Sequence, residues 1–385
     1  MTIHEDAGDE LGRLEAAHRL RIGRIVDGAQ GPRITLDGAD VINLASNDYL
    51  SLAGDRRLAR AAIAAIDESG AGAGASRLIA GNHRRHVVLE HAIADWMRRD
   101  GVRLFGSGYA ANVGVLTTLL APGDVVFSDE LNHASIIDGC RLSRAEIVVV
   151  PHRDLGALEA GLRACTARRK LVVSESLFSM DGDLADVAAL SELCRRHEAA
   201  LVLDEAHALG ARGPEGRGIA AAVGVVPDVL VGTCGKALGA FGAFVATSRP
   251  VAELLWNRAR SFVFSTAMPP MVAAAIHAAI EIVRGVEGDQ RRHGLASHAR
   301  TFRALVREAS GEPDSAIAPV IVGDDLEVMR ISARLLEDRV FVQGIRPPTV
   351  PAGTARLRVS ITAGSTTQDI EIAGKSVNNA TRHST

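Results

Sequence analysis

From about residue 100 onward, short β-branched runs alternate with segments of helical spacing, and this alternation constrains the fold more than any other feature of the chain. Residues 102–105, 125–128, 147–150, 171–175, 200–204, 229–233 and 243–247 read as strands. Most are separated by stretches with helical periodicity. In 187–197, for example, Leu190, Leu193 and Cys194 share a face opposite Glu192, Arg195 and Arg196. Strands that are continuous apolar runs between helices predict an α/β fold with a mostly parallel sheet covered by helices.

Two different pieces flank this core. Residues 1–46 read as an N-terminal arm, a helix followed by a strand pair at 33–36 and 41–44 around the Asp37-Gly38 turn. Residues 47–285 form the large domain. Residues 286–385 form a smaller C-terminal α/β domain with strands at 318–322, 339–342 and 357–361. The last stretch, 371–385, is polar and weakly periodic and is expected to fray.

Composition narrows the function classes. A net charge of −3 carries no basic excess for nucleic acid or an anionic membrane. Residues 1–10 are acidic and lack an apolar signal core, and no apolar run approaches the roughly 20 residues of a membrane span. Cys140, Cys165, Cys194 and Cys234 are scattered without a C-x-x-C pair, which argues against a disulfide framework and for a reducing cytoplasm.

Ligands of an open parallel sheet bind at the carboxyl ends of its strands, and the chemically informative residues fall there. Gly106-Ser107-Gly108-Tyr109-Ala110-Ala111 follows a strand and opens a helix, so its backbone N–H groups would face an anion. The same run matches G-x-G-x-x-A and leaves a dinucleotide site open. Asp204-Glu205-Ala206-His207 ends another strand; a buried carboxylate there needs a partner. The partner could be a helix N-terminus, a core cation or the protonated ring nitrogen of pyridoxal 5′-phosphate (PLP). A metal pair lacks a third ligand at recognisable spacing.

Of the 43 basic residues only three are lysines: Lys170, Lys236 and Lys375. Lys236 sits in Thr233-Cys234-Gly235-Lys236-Ala237-Leu238-Gly239, among small and apolar neighbours that would favour the neutral amine needed to form an imine. The P-loop frame is absent. His133 could cap a helix or stack on a planar ring. His83 and His86 read as a solvated helix face. Arg356 and Arg358, alternating in a late strand, are either a surface pair or a fork for a carboxylate.

Taken in order, these motifs resemble the α-oxoamine synthase family of fold-type I PLP-dependent transferases. The motifs are Ala45-Ser46-Asn47-Asp48-Tyr49-Leu50, Gly74-Ala75-Ser76-Arg77-Leu78, Asn132-His133-Ala134-Ser135, Phe178-Ser179-Met180-Asp181-Gly182-Asp183, the Asp204 and Lys236 segments, and the run from Ile345 to Pro351. The resemblance implies that Lys236 carries the cofactor as a Schiff base and moves protons at the substrate α-carbon. It implies that Asp204 faces the ring nitrogen, His207 and Ser179 the ring oxygen, and that His133 stacks on the ring. Ser107, Gly108, Tyr109 and Thr233 fall where the cofactor phosphate is held, and Thr266 matches a contact from the other subunit of a homodimer. Asn47 and Arg358 match substrate-carboxylate contacts, and Arg21 matches an arginine at the mouth of the site.

The implied reaction condenses an amino acid with an acyl thioester and loses CO₂. Within the resemblance, the Gly74 motif, the run Ser265-Thr266-Ala267-Met268-Pro269-Pro270 and the Arg346 run look more like the branch that joins L-alanine to a pimeloyl thioester, on CoA or a carrier protein, than the branch that joins glycine to acetyl-CoA. The chain departs from the family in having Ala208 after His207 and in lacking the expected amphipathic C-terminal helix.

Overall fold

The computed structural model describes residues 2–382. The described residues divide into two compact units, one of residues 47–179 and 183–293, the other of residues 2–46, 180–182 and 294–382.

The second unit begins with the helix Ile3–Ala16 and the strands β1 (Val26–Asp27), β2 (Arg33–Leu36) and β3 (Ala39–Asn43). The first unit holds the next seven strands: β4 (Gly101–Phe105), β5 (Val125–Asp129), β6 (Glu146–Val150), β7 (Lys170–Glu175), β8 (Ala199–Asp204), β9 (Val229–Thr233) and β10 (Ala243–Thr247). Each expected strand is present within a residue of its bounds. They form one sheet in the order β4-β10-β9-β8-β7-β5-β6. β5 through β9 pair in parallel, while β10 runs antiparallel to both its neighbours. Alternate residues feed two cores: Val126, Leu171 and Val173 pack on one face, Phe127, Val172 and Leu201 on the other. The strands are therefore apolar throughout because both faces are covered.

The remaining strands belong to the second unit: β11 (Ile317–Gly323), β12 (Val340–Phe341), β13 (Gln343–Ile345) and β14 (Ala355–Ser360). The strand expected at 339–342 is β12, and the chain then enters a second strand, β13, in a different sheet. β12 pairs in parallel with β3, whereas β13 pairs antiparallel with β14. No periodicity within the segment marks that switch.

The C-terminal expectation is overturned. Thr367–Arg382 is a helix that buries Ile370, Ala373, Gly374, Val377 and Ala380. These positions follow i, i+3/4, i+7 spacing, but three of the five are Ala or Gly, so the stripe is weakly apolar. Small size is what allows the helix to pack: a Cβ on Gly374 would lie 2.8 Å from Leu305 Cδ1. The closing residues 383–385 of the tail expected to fray lie outside the described residues. No helix among the described residues is long and apolar enough to cross a membrane.

Candidate active site

The candidate site forms where β7, β8 and β9 end, in Glu175, Asp204 and Thr233. Lys236 lies in the loop that joins β9 to β10. The loop is closed by Cys234 N–H donating to the Gly242 carbonyl at 2.8 Å and Gly239 N–H donating to the Lys236 carbonyl at 2.8 Å. Gly239 has φ +62°, and a Cβ there would come 2.3 Å from the Ala53 nitrogen. Glycine thus lets the lysine loop close on the segment that carries Asn47 and Tyr49. Asp48 fixes that segment by accepting from Leu52 N–H at 2.8 Å and Ala53 N–H at 3.0 Å.

Two hydrogen-bonded chains meet here. In the first, Lys236 Nζ is 2.8 Å from His207 Nε2, His207 Nδ1 is 2.7 Å from the Tyr49 hydroxyl, and that hydroxyl donates to Asn47 Oδ1 at 3.1 Å. In the second, Asp204 Oδ2 accepts from Asn112 Nδ2 at 2.7 Å and Oδ1 accepts from Ala206 N–H at 2.8 Å. Asn112 also donates to Ser135 Oγ at 2.9 Å, and Ser135 Oγ is 2.8 Å from His133 Nδ1.

Glu175 is buried beside Asp204. It accepts from His133 N–H at 2.7 Å and from the Ser179 backbone N–H. Burial, and next the charge of Asp204, push its carboxyl up to about 8, although Lys236 pulls the other way.

Ser107 caps the helix Gly108–Leu119, its Oγ accepting from Ala110 N–H at 3.1 Å. A Cβ on Gly106 or Gly108 would meet nothing within 4 Å, so this turn is an open cradle at a helix N-terminus. Thr233 Oγ1 donates to the Gly242 carbonyl at 3.2 Å and accepts from Gly235 N–H at 3.3 Å. The Tyr109 hydroxyl donates to Asp138 at 2.7 Å. Thr266 is exposed and bridges to Ser76, outside both chains.

Several expectations change. His86 is fully buried rather than solvated; its Nε2 lies 2.6 Å from the Met268 carbonyl, and burial lowers its pKa to about 4. His83 is the N-cap of the helix Arg84–Met97, which turns the next turn inward. In the second unit Arg356 and Arg358 are both buried, so the surface-pair alternative fails. Arg356 holds Asp181 at 2.5 Å, while Arg358 donates to Ser360 Oγ at 2.7 Å. Arg21 is exposed in that unit, 3.4 Å from Thr349 Oγ1.

Tyr49, Asn112, Ser135 and Glu175 are site residues that sequence reasoning missed. A polar Asn112 within the apolar helix Gly108–Leu119 is one visible signal, and Tyr49 and Ser135 stand inside two of the family-like motifs. Glu175 is recognisable only once the chain folds.

The donor set fits PLP. Asp204 is a buried anion with no cationic side chain in ion-pair contact among the described residues, and Asn112 Oδ1 is buried without a partner. A protonated ring nitrogen supplies the missing positive charge, and the Gly106 cradle suits its phosphate.

Comparisons with known proteins agree. The class I and II aminotransferase model matches residues 39–377. The chain is 47% identical over 376 residues to the 8-amino-7-oxononanoate synthase of Pelobacter propionicus, covering 96% of each. It is 50% identical over 360 residues to that of Anaeromyxobacter sp. strain K, covering 92% of this chain and 90% of the relative. Among solved structures, a serine palmitoyltransferase of S. paucimobilis with bound PLP and myriocin superposes with TM-score 0.93 at 30% identity. That match covers 98% of this chain and 97% of the other. The 8-amino-7-oxononanoate synthase of Francisella tularensis gives 0.77 at 26%, covering 89% and 98%. The chain therefore belongs to the class I and II aminotransferase family and, within it, to the α-oxoamine synthases, acyltransferases of fold type I that use PLP.

Proposed function

We propose that this enzyme condenses L-alanine with a pimeloyl thioester, on CoA or a carrier protein, to form 8-amino-7-oxononanoate for biotin biosynthesis. CO₂ and the free thiol leave. The substrate choice is carried by the 47% identity to the P. propionicus 8-amino-7-oxononanoate synthase across 96% of both chains.

When bound, PLP supplies the electron sink that makes the α-carbon of the amino acid acidic. In this reading Lys236 binds the cofactor and afterwards, as a free amine, takes and returns the α-proton. Asp204 keeps the ring nitrogen charged, held by Asn112. His133 covers one ring face, while His207 and Ser179 reach the ring oxygen. Ser107, Gly108, Tyr109 and Thr233 hold the phosphate, completed by Thr266 of a second copy in a homodimer. Asn47 and Arg358 orient the amino-acid carboxylate, and Arg21 stands at the entrance for the acyl group. Four free cysteines suit a cytoplasmic enzyme.

A second reading within the family has a specific observation behind it, the TM-score of 0.93 to serine palmitoyltransferase. Steady-state kinetics with purified protein separates the two readings. Turnover of L-alanine with pimeloyl-CoA should exceed that of L-serine with palmitoyl-CoA and of glycine with acetyl-CoA. A preference for either of the latter pairs overturns the substrate choice but not the chemistry. The absorbance spectrum tests the chemistry. A near-visible band should shift on adding L-alanine and change its form in Lys236→Ala.

A further inference from the structure

Lys236 must be a neutral amine each time it bonds to the cofactor, and the residues around it show where its proton goes. The Tyr49 hydroxyl has one hydrogen, and it points at Asn47 Oδ1, an acceptor, at 3.1 Å. Its lone pairs therefore face His207 Nδ1 at 2.7 Å. With the hydroxyl hydrogen given to Asn47, a proton on Nδ1 completes this contact. His207 Nε2 is then the ring nitrogen with a lone pair to offer, and it faces Lys236 Nζ at 2.8 Å.

We propose that Tyr49 is a positioning residue that holds the His207 proton on Nδ1, so that Nε2 is the atom that exchanges a proton with Lys236. In the forward direction an Nζ–H bond of the ammonium breaks and an Nε2–H bond forms. Lysine is left with a free electron pair, and His207 becomes an imidazolium that donates to Tyr49 from Nδ1. The reverse transfer restores both groups, and no other reactant is needed.

Other charges near His207 are already committed. Asp204 accepts from Asn112 and Ala206. Glu205 accepts from Ser176 Oγ at 2.6 Å and from the backbone N–H groups of Ile219 and Ala220. Tyr49 is fully buried, which keeps water from substituting for its hydroxyl.

This inference rests on Lys236 as the cofactor-bearing lysine, and its test is independent of the substrate choice. Histidine ¹⁵N spectra of the PLP-loaded enzyme should show His207 Nδ1 protonated across the neutral range, with Nε2 as the nitrogen that titrates. In Tyr49→Phe, which keeps the ring volume, the Nδ1 signal should move toward the unprotonated position. Displacement of Lys236 by hydroxylamine, followed by the near-visible absorbance of bound PLP, should slow about tenfold in that variant while the starting band keeps its amplitude. An unprotonated Nδ1 in the parent enzyme overturns the proposal even if Tyr49→Phe fails to fold. Unchanged spectra and rate in a folded Tyr49→Phe overturn it as well.

Discussion

Glu175 and Asp204 are register partners at the carboxyl ends of the adjacent parallel strands β7 and β8, two carboxyl groups buried side by side. Such a pair does not ionise fully without a cation. With burial and Asp204 pushing its carboxyl up to about 8, Glu175 keeps its proton when folded, but an unfolded glutamate loses it near 4.5. The unfolded state thus binds fewer protons between these values, and stability falls as pH rises through that window. Glu175→Gln should remove this decline, gaining on the parent at pH 8 relative to pH 5. Calorimetric melting at the two pH values checks it; an equal difference at both would contradict the assignment.

Asn112 gives the Asp204 carboxylate a hydrogen bond from an apolar helix. Asn112→Ala should cost about 2–3 kcal/mol, because a buried charged acceptor loses its donor. It should also weaken PLP retention. Urea unfolding and the near-visible band read the two effects.

His152 stands between Asp129 at 2.9 Å and Asp183 at 3.0 Å, tying the end of β5 to the loop after Ser179. Burial disfavours its charge, but the two carboxylates outweigh that and raise its pKa to about 9. A raised folded pKa contributes stability that is full below the ordinary value of 6.5 and is lost as pH rises through about 9. His152→Gln should therefore destabilise by about 1–3 kcal/mol at pH 6, with the gap closing above pH 9. Urea titrations at both pH values measure it.

Gly239→Ala should cost about 3 kcal/mol or more, since its Cβ meets the Ala53 backbone and its φ is positive. The same change should lower PLP occupancy by moving Lys236. Thermal melting and absorbance together check this; a neutral substitution would mean the loop does not need the close approach.

In the second unit, Val377→Asp should destabilise by about 4 kcal/mol, as expected for a buried charge without a partner. A frayed tail would tolerate it. Thermal unfolding monitored by circular dichroism distinguishes the two.

The sequence by itself determined the α/β class, the seven strands of the large sheet and the ordered motifs around Asp204 and Lys236. Those signals are local: an apolar run has its period whether or not its neighbours are known, and a lysine among glycine and alanine stands out in a chain with only three. Tertiary structure alone decided what each side chain touches. The change of sheet between β12 and β13 depends on two different partner strands. The C-terminal helix forms because small residues let it pack closely, a property that hydrophobicity does not record. Tyr49 reaches His207 across 158 positions of chain, and Glu175 becomes unusual because folding buries it and Asp204 ends the next strand. Contacts between residues distant in the chain are fixed by which strands pair and which loops close, so they emerge with the fold and not before it.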